Sequence, residues 1–233
     1  MSQVHDAEAI SEFFDGWDLY LRVIEHDYMF HRDIHDALRL AAAPFGRVLD
    51  IGCGDASTIA HTLTGLPAIV YTGVDLSPVA LEAAAKNLGA AGVAARLEEA
   101  DYMSFLERAD SGSFDTLVAG FTVHHLIGDD IARFFRLARN VLCPGGRLLL
   151  YDVFREEHEE RMAHLARSHA WRVQAWKEMS SDDLAALWRH VSTADYPKSE
   201  SELLAHAEQA GFPPPSGPLF TAPTGIHRLY AFS

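Results

Sequence analysis

The stretch Val48-Leu49-Asp50-Ile51-Gly52-Cys53-Gly54-Asp55-Ala56-Ser57 decides how this chain reads. Val48, Leu49 and Ile51 make an apolar run of the kind buried in a parallel sheet, and it breaks into two glycines followed by residues suited to starting a helix. Glycine lets the backbone turn sharply and lets a ligand approach the main chain with no Cβ in the way. The amides that open the next helix then point toward that ligand. The pattern predicts a nucleotide-type pocket at the carboxyl end of a first strand.

A dinucleotide pocket calls for Gly-x-Gly-x-x-Gly, the third glycine allowing helix and strand to pack closely. Ser57 stands in that third place here. Two carboxylates sharpen the reading: Asp50 just before the turn, and Asp75 after the next apolar run, Ala68-Ile69-Val70-Tyr71-Thr72-Gly73-Val74. On these residues the glycine turn resembles motif I of the class I S-adenosylmethionine-dependent methyltransferases. Gly73-Val74-Asp75-Leu76-Ser77 resembles their second motif. The resemblance implies an α/β fold with a doubly wound, Rossmann-like, seven-stranded and mostly parallel sheet, helices lying on both faces. It also implies S-adenosyl-L-methionine as cofactor, bound around Asp50, Gly52, Cys53, Gly54, Asp75 and Leu76. A carboxylate at Asp75 can accept hydrogen bonds from both hydroxyls of a ribose.

The composition narrows the partners. With 33 acidic against 19 basic residues the formal charge is −14, a field that repels polyanions, and no Lys/Arg cluster offsets it. Nucleic acid is therefore not the expected partner. The two cysteines, Cys53 and Cys143, lie far apart in sequence and suggest neither a disulfide nor a zinc site. The first residues carry no signal-peptide pattern and no apolar run reaches membrane-spanning length, so the expectation is a soluble, cytoplasmic chain with no membrane partner.

Residues 1–43 read as helical and carry Phe13, Phe14, Trp17, Tyr20, Tyr28 and Phe30. A helix face packed on a core is the plainer account. The resemblance adds a lid over the donor pocket, with Trp17, Tyr20 and Tyr28 toward the acceptor. His31 and His35 stand one helical turn apart, but the intervening residues lack the glutamate of a His-Glu-x-x-His site, so they are expected on a solvated face with no metal.

Residues 44–153 read as the cofactor-binding core. After the glycine turn come a helix over 56–63, a second strand closed by Asp75, and a helix over 79–88 capped by Ser77 and Pro78 and ended by Gly89. A short third strand over 94–98 leads to Asp101 and Tyr102, which the resemblance sets at the adenine amino group and ring; a surface turn is the alternative. The fourth strand, 114–120, resembles motif IV, so Gly120 and Phe121 should meet the methionine part of the donor. His124-His125-Leu126 follow. One of these histidines packing under the loop while the other faces water is the bland account, preferred for His125; His124 is the candidate catalytic base, since histidine has a suitable intrinsic pKa. A helix over 129–141 and a Pro144-Gly145-Gly146 turn into a fifth strand complete an alternation that argues for a parallel sheet with right-handed crossovers.

Residues 154–197 depart from that rhythm. Residues 155–179 read as one long helix with a stripe of Met162, Leu165, His169, Val173 and Trp176. Packing on the core explains such a stripe, and the resemblance makes the segment an insertion on the acceptor side, with Trp171, Trp176 and Trp188 as wall residues. It could also serve a homodimer. In residues 198–233 a last helix over 199–210 and a strand over 226–232 close the core.

Methyl transfer from a sulfonium is an in-line displacement that asks for position rather than many catalytic side chains. The acidic surface, the aromatic amino-terminal helices and the insertion favour a methyltransferase with an enclosed, small-molecule acceptor. The alternatives are a cofactor-binding module without turnover, a dehydrogenase, disfavoured by Ser57 and the Pro-Gly-Gly turn, and an RNA methyltransferase. The last is disfavoured by charge and by Gly120-Phe121-Thr122-Val123 where an Asn/Asp-Pro-Pro-aromatic tetrad would stand.

Overall fold

A computed structural model describes residues 17–41 and 46–233, the side chains of residues 17 and 18 excepted. Two helices, α1 (Trp17–Glu25) and α2 (His31–Ala41), precede an alternating series. It runs β1 (Arg47–Ile51), α3 (Ser57–Leu63), β2 (Val70–Asp75), α4 (Pro78–Ala90), β3 (Ala95–Glu99), α5 (Tyr102–Arg108), β4 (Phe114–Gly120), α6 (Asp130–Val141) and β5 (Leu142–Val153). The inserted pair α7 (Arg161–Ala175) and α8 (Ser181–Ala194) follows, then α9 (Glu200–Gln209), β6 (Phe220–Thr221) and β7 (His227–Phe232). Phe13 and Phe14 lie outside the described residues.

The seven strands form one sheet in the order β3-β2-β1-β4-β5-β7-β6, parallel from β3 to β5 and antiparallel at β7 and β6. This is the doubly wound arrangement expected from the sequence. Strand order reverses between β1 and β4, and the crevice at their carboxyl ends is where such sheets bind ligands.

The period of two along β1 sorts its side chains. Leu49 and Ile51 pack with Leu117, Leu148 and Leu150 toward α5, α6 and α9. Val48 faces the other way, with Tyr71, Val118 and Leu149, under α2, α3 and α4. Asp50 shares that second face, which is why a carboxylate ends up buried inside the sheet's packing layer at the rim of the crevice. Side chains such as Leu49, Ile51 and Leu117 are fully buried, and each contributes about 1.5–3 kcal/mol.

A third, smaller cluster joins the amino-terminal helices to the insertion. Val23 of α1 packs on Trp176 and Met179, with Leu19, Tyr28 and Leu187 around them. Arg22 and Asp183 pair across the same seam at 2.5 Å. The insertion leaves and re-enters the core at one place: Phe154 bridges Lys198, and Arg155 N–H donates to the Lys198 carbonyl at 3.1 Å.

The insertion corrects the sequence reading in two ways. The helix expected over 155–179 covers only Arg161–Ala175, and a second helix, Ser181–Ala194, opened by a Ser180–Asp183 capping box, follows beyond the expected span. The buried face of α7 is His164, Leu165, Ser168 and Arg172, whereas Met162 and Val173 of the expected stripe are exposed. A smaller correction concerns α4, which continues through Gly89 to Ala90.

Candidate active site

Gly52 (φ +59°) and Gly54 (φ +53°) take the left-handed conformation that the turn after β1 requires. A Cβ on Gly52 would overlap the Thr122 side chain, and one on Gly120 would overlap the Tyr151 ring. Neither position admits a side chain unless that neighbour moves. Asp75, at the end of β2, lies beside this turn. Its Oδ2 accepts the Gly54 N–H at 2.8 Å and its Oδ1 accepts the Ser77 N–H at 2.9 Å. Burial pushes the carboxyl pKa up, and the Ser77, Gly54 and Leu76 N–H groups pull against that. Each oxygen keeps a lone pair for a further donor. Gly52, Gly54, Asp75, Leu76, Tyr102, Gly120 and Phe121 line one cavity. Phe121 holds φ +51°, an unusual value for a bulky residue, with its N–H on the Tyr151 carbonyl.

A neighbouring hollow on the α2 side is lined by Asp50, Cys53, His31 and Tyr151. Burial raises the Asp50 pKa to about 7, against the pull of the Tyr71 hydroxyl, which donates to Oδ2 at 2.7 Å. A cationic group arriving beside Asp50 favours the ionised form and expels its proton. Binding of a sulfonium or ammonium ligand here is therefore expected to release up to one proton at pH 6, and its affinity to rise with pH until it levels off above about 7. Calorimetry in two buffers of different ionisation enthalpy measures this, and Asp50→Asn should abolish it; zero protons released at pH 6 by the wild type would rule the coupling out.

The other side of the cavity is polar in a different way. His124 and His125 form a 3₁₀ turn after β4 and are both buried in the wall. His124 Nδ1 lies 2.5 Å from Asp152 Oδ1, and the His124 N–H donates to Asp152 Oδ2 at 2.9 Å. Its Nε2 lies 3.5 Å from Asp195 Oδ1. Burial alone would lower the His124 pKa, but the two carboxylates outweigh it and raise it to about 10. His125, buried and next to that cation, is held down to about 3. Arg172 of α7 and His190 of α8 complete the wall with Asp195.

Several expected site residues need relocation. His124 is in the wall, but Asp152 and Asp195 on either side of its ring favour the protonated form, which suits it to stabilise negative charge rather than to accept a proton. His125 neither faces water nor hides under the loop; it borders the cavity. His31 is buried, not solvated, with its pKa lowered to about 4 by burial and neither ring nitrogen hydrogen-bonded among the described residues. His35 is half-buried and bonds Thr62 Oγ1 at 2.9 Å. Asp101 caps α5 through the Ser104 N–H at 2.8 Å and does not line the cavity, whereas its neighbours Ala100 and Tyr102 do.

Of the aromatic candidates, Tyr20 and Trp176 reach the wall. Tyr28 stacks on the back of Trp176 with ring centroids 4.9 Å apart, and Trp171 packs edge-on behind it. Trp188 lies against His169 instead. Sequence reasoning missed Arg172, His190, Asp195 and Thr122. Arg172 carried one usable signal, an arginine in register with Leu165 and Ser168 on the packed face of α7.

Comparison with known proteins agrees with this geometry. The methyltransferase-domain family model matches residues 49–148. Uncharacterized methyltransferases of Mycobacterium tuberculosis and Mycobacterium bovis are 28% identical over 77% of this chain and 86% of theirs. The ribosomal RNA large subunit methyltransferase G of Pseudomonas putida is 30% identical, over 63% of this chain and 42% of its own. Among solved structures, the mitomycin 7-O-methyltransferase MmcR shares the fold with a TM-score of 0.58 at 21% identity, covering 93% of this chain. The chain spans 59% of the length of that protein. A doubly wound sheet with a glycine turn and a carboxylate at the switch point is an arrangement suited to a nucleotide-type ligand. Over residues 49–148, the span that holds the glycine turn and Asp75, this chain is similar to methyltransferase domains.

Proposed function

We propose that the protein transfers the methyl group of S-adenosyl-L-methionine to a small molecule that carries an anionic group. When bound, the donor supplies a methyl group already activated on a cationic sulfur. The residues present fit it: Gly52 and Gly54 bring bare backbone to the cavity wall, and Asp75 offers two lone pairs beside the glycine turn. Asp50 and His31, whose ring nitrogens accept or donate no hydrogen bond among the described residues, border the hollow next to it.

One observation carries the acceptor class. Arg172 is buried in the cavity wall, with no carboxylate within ion-pair distance among the described residues and with Nη1 lacking any hydrogen-bond partner. Its guanidinium lies 5.7 Å from the centre of the Trp176 ring. Asp195 acts on this cation only from beyond ion-pair distance, so its burial is costly to the fold, and a carboxylate or phenolate from the acceptor would relieve it with paired hydrogen bonds. The aromatic wall and the lid seam would exclude water from such an acceptor.

The test is methyl transfer to paired small molecules that differ only in carrying a free carboxylate or its amide, read as S-adenosylhomocysteine formed. Turnover should favour the anionic member. Arg172→Met should raise KM for it by roughly 10–100-fold while leaving donor affinity unchanged, the loss of one charge-assisted interaction. Equal use of both members, or turnover only on RNA, would replace this reading.

A further inference from the structure

The fold gathers His124 and His125, from the turn after β4, against Asp195, the residue that ends α8. Each offers one ligand atom, these atoms all lie within 4.8 Å of one another, and all three residues are buried. Asp195 Oδ1 is the centre of the group. It lies 3.5 Å from His124 Nε2, 3.6 Å from His125 Nδ1 and 3.9 Å from His190 Nε2. Yet it accepts no hydrogen bond.

That combination is odd for a hydrogen-bonded network, in which the imidazole N–H groups would aim at the oxygen. It is natural for a metal polyhedron. Ligands about 2.1 Å from a tetrahedral ion lie about 3.4 Å apart along its edges, close to the first two separations. We propose that His124, His125 and Asp195 bind one divalent transition-metal ion of the zinc class, with His190 next to it.

Two further features fit. Ligating histidines commonly give their other ring nitrogen to a carboxylate, which orients the ring. His124 Nδ1 does so with Asp152 at 2.5 Å. Asp152 and Asp195 also bring two carboxylates to the His124 ring, at 2.5 and 3.5 Å, an arrangement that favours a cation in the cluster. At His125 the ion would take the place of the contact that Nδ1 now makes with the Ala194 carbonyl at 3.1 Å. The donor set of two nitrogens and one oxygen suits zinc or cobalt rather than magnesium or calcium, which take oxygen ligands. Because all three residues line the cavity, a remaining coordination position faces the space where an acceptor would sit.

The test reads metal and not methyl transfer, so its result is independent of the proposed activity. The full chain, stripped with a chelator and dialysed, is titrated with cobalt(II) while the visible spectrum is followed. Expected are one equivalent bound, the bands of a tetrahedral site, and displacement by zinc. His125→Gln and Asp195→Asn should each weaken binding by more than about tenfold, whereas His61→Gln, remote from the cluster, should not. Thermal melts of each variant report folding, and should Asp195→Asn fail to fold, His125→Gln decides. No stoichiometric uptake by the wild type, or uptake that survives in a folded His125→Gln, overturns the proposal and leaves a hydrogen-bonded and ion-paired wall of His124, Asp152 and Asp195.

Discussion

Replacing Asp75 by alanine is expected to weaken S-adenosyl-L-methionine binding by at least two orders of magnitude. The carboxylate is held at the end of β2 by the Gly54 and Ser77 N–H groups at 2.8 and 2.9 Å, so its orientation is set before any ligand arrives. Two hydroxyls donating to it would contribute about 1.5–3 kcal/mol each as hydrogen bonds to a charged group. The substitution also frees the Gly54 amide from its anchor and loosens the glycine turn. Calorimetric titration measures the effect, and a thermal melt without ligand separates it from unfolding. A variant that bound the donor within about threefold of the wild type would remove Asp75 from the site.

A second substitution should act on the fold itself. Asp152, at the end of β5 and 3% exposed, accepts three hydrogen bonds: from the His124 N–H, from the His124 ring and from the Val153 N–H. Asp152→Ala leaves a buried imidazolium and two amides without their acceptor. Breaking one partner out of a buried ion pair typically costs 3–5 kcal/mol, and about that loss is expected in urea denaturation at neutral pH. Asp152→Asn, which keeps an acceptor oxygen but not the charge, should lose less. A change below about 1 kcal/mol in the alanine variant would mean that the turn after β4 is held chiefly by something else, such as the Tyr196 N–H on the His124 carbonyl at 2.7 Å.

The two sides of the cavity differ in how far they could be read from sequence. The donor side is local: a strand, its following turn and a carboxylate at the next strand's end are consecutive features, each imposed by short-range geometry. Gly52, Gly54, Asp75 and Gly120 were legible for that reason. The opposite wall is assembled from Arg172, His190 and Asp195, whose places depend on where α7 breaks and how α8 folds back. Nothing in their spacing relates them to His124. The aromatic and apolar stripe misled as well, because Val173 is exposed while its neighbour Arg172 is the buried residue. His31 was misread on the same principle: a helix rich in charged residues looked solvated, yet α2 turns that one histidine inward among Tyr20 and Phe121. Charge state was equally hidden, since only the flanking of His124 by Asp152 and Asp195 turns an expected base into a cation.

Phe154 and Lys198 stand side by side where the inserted helices begin and end. A segment whose two ends already touch can be lengthened, shortened or exchanged without pulling the surrounding strands apart, because closing it adds little conformational cost. Residues 155–197 are thus a natural cassette for recombination. Divergence can remodel the wall that holds Arg172, His190 and Asp195 while β1 to β5 keep the glycine turn and Asp75 unchanged, and a designer can transplant the same segment between relatives in one cut.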